Sequence, residues 1–195
     1  MVASTVFFLM ESMNVGYHWK TPLNVGFLVT LVAAVHYFYL REYWVLLQAS
    51  PVLYRYIDWS ITVPLQMIEF YLILSAVQHD ISSMMFYRLL IGTVLMLAFG
   101  YLGETSMLPA WGGFGAGLCG WFNILYEILV GEAGNVSASG QNVNKHVQQS
   151  FKTMRFIVSV GWCIYPLGYL FGYLLSSFSI SRIRSSAVSQ RRSGH

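Results

Sequence analysis

The sequence predicts an all-α, multi-span membrane protein, on three observations. Hydrophobic residues make up 56% of the chain and charged residues only 10%, against about 25% charged in a typical soluble domain. The few charges gather between long apolar runs. Several of those runs reach the roughly 20 apolar residues that a bilayer-crossing helix needs.

The elements follow in order, lettered A onward. Residues 1–10, MVASTVFFLM, are too short to span and are expected to be the last half of a helix A. They lack the basic start and small-residue cleavage site of a signal peptide. Pro22 is expected to open helix B, which runs to about Leu40, because proline is tolerated in a first turn. The turn signal Ser50-Pro51 leads into helix C, expected from about Val52 to Val77. Helix D is expected over about Met84–Tyr101 and helix E over about Gly112–Val130. A polar stretch rich in Ser, Asn, Gln and Gly, about 131–150, reads as a loop before helix F, expected over about Phe151–Leu175. Residues 176–195 shift to Ser and Arg and read as a disordered tail. Cys119 and Cys163 lie inside apolar runs and are expected to be buried free thiols.

Cytoplasmic loops of membrane proteins carry an excess of Lys and Arg. One side of the expected bundle receives Lys20, Arg88, Lys145, Lys152 and Arg155, the other Arg41. The first is therefore taken as cytoplasmic. The tail, with Arg182, Arg184, Arg191 and Arg192, then falls outside, against the rule, so it is expected to be foreign to the rest of the chain. A net charge of +3 points to no nucleic-acid partner, and no metal site is expected.

Helix C carries Arg55, Asp58 and Glu69 within an apolar run. A charge near the bilayer centre costs roughly 2.5–3.5 kcal/mol on insertion scales, so such residues usually face the bundle interior and serve function. Arg55 is long enough to reach the interface; Asp58 and Glu69 are too short for both to do so. The interval between the two carboxyls rises about 16 Å and returns to within roughly 20° of its starting direction. They therefore share one face, with Thr62 and Gln66 on the same broad face. A line of protonatable groups along one inward face suggests a proton path. His36, midway along helix B, is either a helix-bridging histidine or a partner for Asp58.

The run Arg55-Tyr56-Ile57-Asp58-Trp59, with Thr62, Pro64 and Glu69, resembles helix C of microbial rhodopsins. Gly-Trp-Cys-Ile-Tyr-Pro at 161–166 resembles their helix F. His36-Tyr37 in HYFYLREYW, EFYLIL at 69–74, FGYLGE at 99–104 and LYE at 125–127 look like the proteorhodopsin group, and the resemblance covers about residues 3–175. It implies a seven-transmembrane-helix bundle and a light-driven outward proton pump that uses all-trans-retinal, a transporter rather than an enzyme. It also implies a bacterial inner membrane and a homo-oligomeric complete protein. By position, Asp58 matches the proton acceptor and counter-ion, Glu69 the donor, His36 the acceptor's partner, and Arg55 the arginine that helps hold the counter-ion ionised. Trp59, Met96, Gly100, Trp121, Trp162, Tyr165 and Pro166 match retinal-pocket positions, and Thr62 completes the helix C trio. Gln66 matches the colour-tuning position and implies blue absorption. Phe114 aligns best with the helix E glycine that opens a carotenoid window in relatives similar to xanthorhodopsin, so no carotenoid antenna is expected.

The sequence also departs from the family pattern. Retinal is carried there on a helix G lysine near an aspartate, whereas the lysines here are Lys20, Lys145 and Lys152. A partial helix A and a missing helix G are expected, and this chain alone is not expected to link retinal. Two other readings stand beside the pump: a sensory photoreceptor, which Glu69 argues against, and an inactive membrane fragment.

Overall fold

The computed structural model describes residues 1–48, 51–77, 81–138 and 145–171. Its helices are α1 (Val2–Asn14), α2 (Tyr17–Leu47), α3 (Val52–Val77), α4 (Ser83–Glu104), α5 (Ala110–Leu129), α6 (Glu132–Ala138), α7 (Lys145–Phe156) and α8 (Ile164–Tyr169), with a π-helical segment, Ile157–Gly161, between α7 and α8. Each of α1 to α5 packs against the next. Among the described residues, four helices are long and apolar enough to cross a membrane: Tyr17–Leu47, Val52–Ala76, Ser83–Glu104 and Ala110–Asn135. These are the expected helices B to E. Their apolar residues point outward as readily as inward: Phe38, Leu46, Ile91 and Phe122 are all exposed. Lipid is as apolar as a protein interior, so an outward Leu or Phe carries no penalty there.

Helix ends follow local chemistry. Ser82 caps α4 by accepting a hydrogen bond from the Met84 N–H at 3.1 Å, satisfying one of the orphan donors of a first turn. α2 ends at Gln48, in the left-handed conformation at φ 49°, and Pro109 precedes α5.

Four expectations need correction. Helix B starts at Tyr17, so Pro22 lies inside α2 rather than opening it, and α2 continues to Leu47. The missing proline N–H falls near the helix start, where the lost bond interrupts little of the ladder. The expected loop 131–150 contains α6 and the first residues of α7; the Glu127 carboxylate accepts from the Glu132 N–H at 3.0 Å and so nucleates α6 across the turn. Helix F is not continuous: the π segment and a turn separate α7 from α8. That break puts Pro166 in the first turn of α8, where its missing N–H is no loss. Cys119 is exposed and Cys163 half-buried, both free, because an apolar run in lipid has an outer face as well as an inner one. The expected tail, 176–195, lies outside the described residues.

The closest helix pair is α4–α5. A Cβ added at Gly120 would lie 2.6 Å from the Met96 backbone N, and one at Gly113 would lie 2.5 Å from the Gly103 Cα. Glycine at these positions lets the two backbones touch. The apolar core fills one end of the bundle: Met67, Phe70 and Leu74 of α3, Met85 and Leu89 of α4, Ile124 and Ile128 of α5, and Phe151 of α7. The Phe70 and Phe151 rings, 4.5 Å apart, tie α7 back to α3. The same end holds a charged clamp in which Arg88 of α4 donates to Glu127 at 3.1 Å and to Glu132 at 3.4 Å.

Candidate functional site

At the other end of the bundle the helices part around a cavity of ≈ 670 Å³, within the roughly 300–1,000 Å³ of small-molecule sites. α3 supplies its floor: Arg55, Asp58, Trp59, Thr62 and Gln66 all line it. That matches a shared inward face, since residues three and four apart stack on one side of a helix. α4 and α5 add Met96, Gly100 and Trp121, and the turn before α8 with its first residues adds Trp162, Tyr165 and Pro166. Rings dominate the walls. Trp59 meets Tyr165 edge-on at 4.8 Å and Tyr56 at 5.2 Å. Trp121 is held by its indole N–H, which donates to the Val158 carbonyl in the π segment at 3.3 Å.

Asp58 is the polar centre of the wall. It is only 2% exposed, and its Oδ1 has no hydrogen-bond partner. A buried carboxylate oxygen left unpaired is costly unless something cationic or proton-bearing faces it. His36 faces it, with Nδ1 3.7 Å from Asp58 Oδ1; the same nitrogen lies 3.0 Å from the Val32 carbonyl, to which it donates. Thr62 donates its hydroxyl to the Asp58 backbone carbonyl at 2.9 Å.

His36 and Glu69 do not line the cavity. Glu69 is half-buried, and its carboxyl lies over Gly26 of α2. Asp58 and Glu69 thus both face α2, one toward His36 and the other toward Gly26. The partners run in opposite order along the two helices, as antiparallel neighbours require.

Arg55 departs from its expected neighbour. Its guanidinium pairs with Glu104 at the end of α4 rather than with Asp58, and it also lies over the Trp59 ring, Cζ 5.3 Å from the centroid. The Tyr56 hydroxyl hydrogen-bonds Glu104 as well. Glu104 and Tyr56 line the cavity but were not singled out as site residues from the sequence. The signal for Glu104 was its position, a carboxyl closing a long apolar helix. Tyr37 and Tyr169 are further lining residues without a sequence-derived role, and Phe114, the expected carotenoid-window position, lines the cavity too. Phe114 and Tyr169 stack, centroids 5.4 Å apart and 10° from parallel.

An apolar cavity walled by aromatic rings around a buried carboxylate, set in a bundle of spanning helices, has the lining of a small-molecule site within a membrane protein. The chain belongs to the family of microbial (type 1) rhodopsins: the model described as "Bacteriorhodopsin-like protein" matches residues 1–188. Within that family its close relatives are proteorhodopsins of both colours. A green-light absorbing proteorhodopsin of gamma-proteobacterium EBAC31A08 is 43% identical over 175 residues, which is 90% of this chain and 69% of the relative. A blue-light absorbing proteorhodopsin of gamma-proteobacterium Hot 75m4 is 41% identical, over 90% of this chain and 68% of the relative. The crystal structure of blue light-absorbing proteorhodopsin from Med12 superposes with a TM-score of 0.72 at 43% identity, covering 89% of this chain and 75% of that one. With four helices able to span, this kinship makes the chain a multi-pass protein of a bacterial inner membrane. It belongs with ion transporters and photoreceptors, not with enzymes.

Proposed function

We propose that the chain serves in a retinal-based, light-driven outward proton pump, with Asp58 as proton acceptor and Glu69 as proton donor. The observation that carries this reading is Asp58, a 2%-exposed carboxylate whose Oδ1 has no hydrogen-bond partner, on the wall of an aromatic cavity. An elongated apolar ligand with a protonated nitrogen fits such walls. Retinal, when held through a lysine amine, supplies the light-driven change of shape and the nitrogen that carries the proton.

The chain's own residues divide the remaining work. Trp59, Trp121, Trp162 and Tyr165 would hold the polyene, while Met96, Gly100 and Pro166 would shape the space around it. Asp58 offers a buried acceptor site. His36 stands close enough to share charge with it. Arg55 and Glu104 form a neutralised pair beyond it, so a proton on Asp58 does not meet a second bare anion. Glu69, on the same face of α3 but nearer the other surface, holds a proton for return. Two carboxyls aligned in this way favour a pump over a sensory photoreceptor, which needs no return donor. Phe114, stacked on Tyr169, is the residue that aligns best with the glycine of a carotenoid window, and its bulk supports a pump without an antenna.

Two of the sequence's three lysines, Lys20 and Lys152, are exposed and are not among the described lining residues. With added all-trans-retinal, the 195-residue chain is expected to give no covalent adduct after borohydride reduction. Joining a proteorhodopsin's lysine-bearing last helix after residue 175 is expected to give a coloured protein that acidifies the medium of illuminated cells. A coloured chimera that moves no protons would overturn the pump reading in favour of the sensor.

Gln66 supports blue absorption. Gln66 lines the cavity, and a polar amide there would favour a bound chromophore's ground state, with charge localised near the nitrogen, over a delocalised excited state, which would widen the energy gap. In the chimera, Gln66→Leu is expected to move the absorption maximum to longer wavelength; an unmoved maximum would count against the colour assignment.

A further inference from the structure

Glu69 rests against bare backbone. A Cβ built on Gly26 of α2 would lie 3.0 Å from Glu69 Oε1, 3.6 Å from its Cδ and 3.7 Å from Cε1 of Phe8 in α1. Gly26 itself is buried. Its carbonyl is already engaged by the Thr30 hydroxyl at 3.0 Å. Among the described residues, no hydrogen bond or ion pair reaches the Glu69 carboxyl. The carboxyl therefore occupies the volume a side chain at position 26 would fill, with a phenylalanine ring beside it. A methyl group there would press on the carboxyl at a separation tighter than ordinary contact. A hydroxymethyl group would bring a hydroxyl into hydrogen-bond reach of Oε1.

We propose that Gly26 is a positioning residue for Glu69: by having no side chain it keeps the carboxyl in an apolar slot between α1, α2 and α3, without a hydrogen-bond partner. The inference rests on Glu69 being a proton carrier. Its consequence is that the proton leaves Glu69 without first breaking a hydrogen bond to a neighbouring side chain, whereas a partner at position 26 would add that step.

The test uses the full chain in phospholipid bilayers and infrared spectroscopy of the carboxylic-acid C=O stretch, at a pH acidic enough to protonate carboxyls. Glu69→Gln identifies the Glu69 band by removing it. In the parent that band is expected at the high wavenumber of an acid free of hydrogen bonds. Gly26→Ser is expected to move it to lower wavenumber, and Gly26→Ala to leave it high. A parent band already at a hydrogen-bonded position overturns the proposal without any variant at position 26. So does a band that ignores Gly26→Ser. If Glu69→Gln removes no band at all, the proton-carrier reading of Glu69 itself fails, and the positioning role falls with it.

Discussion

Asp58→Asn, made in the retinal-loaded chimera, is expected to leave a coloured protein that no longer acidifies the medium under light. Asparagine matches aspartate in shape, and Asp58 makes no side-chain hydrogen bond through Oδ1 that the amide would break. The fold and the cavity walls should therefore survive. Among the described lining residues, what disappears is the one carboxylate at the centre of the wall, since the other, Glu104, is committed to Arg55. An amide neither balances a buried cation nor accepts a proton from it. Positioned proton-transfer groups are worth on the order of a hundredfold or more in rate, so the initial acidification rate should fall by at least that factor. Flash-photolysis absorbance and a pH electrode measure the two halves separately. Parental acidification by Asp58→Asn would remove Asp58 from the mechanism; loss of colour as well would point instead to a structural role.

Gly120→Ala is expected to destabilise the bundle strongly, as is Gly113→Ala, whose Cβ would lie 2.5 Å from the Gly103 Cα. The new Cβ at position 120 would stand 2.6 Å from the Met96 N and 2.7 Å from the Gly92 carbonyl oxygen. Both are backbone atoms, so no rotamer change relieves the clash and α4 must move as a unit. Overpacking of this kind typically costs about 1–3 kcal/mol, occasionally more. Gly112→Ala is the matched control. Nothing lies within 4 Å of a Cβ at Gly112, and alanine is favoured over glycine in a helix by roughly 1 kcal/mol, so that variant should be neutral or slightly stabilised. Loss of helical circular dichroism during SDS titration of the protein in bicelles compares the two. Equal midpoints would mean that α4 and α5 are not packed backbone to backbone.

Much of this architecture was readable in the residues because the forces that set it are local. A long apolar run in lipid must satisfy its backbone groups within itself, so it becomes a helix; the runs forming α2 to α5 follow directly. The helical period is local too. It aligns Asp58, Thr62 and Gln66 on one side of α3, and the carboxyl spacing brings Glu69 round to the same side.

The features that reasoning along the chain left undecided all depend on a second element. Arg55 looks equally well placed for Asp58 by spacing; its pairing with Glu104 needed α4 to pack close to α3. The π segment in helix F has no local cause as plain as the proline that follows it, and the Trp121 indole from α5 takes up its Val158 carbonyl. The open face of α2 at Gly26 became meaningful only once α3 laid a carboxyl over it. Apolar length and helical period act within a segment, so the order of residues suffices to reveal them. Partners for charged and polar groups are chosen between segments, by how closely two backbones approach, and only the assembled bundle decides that.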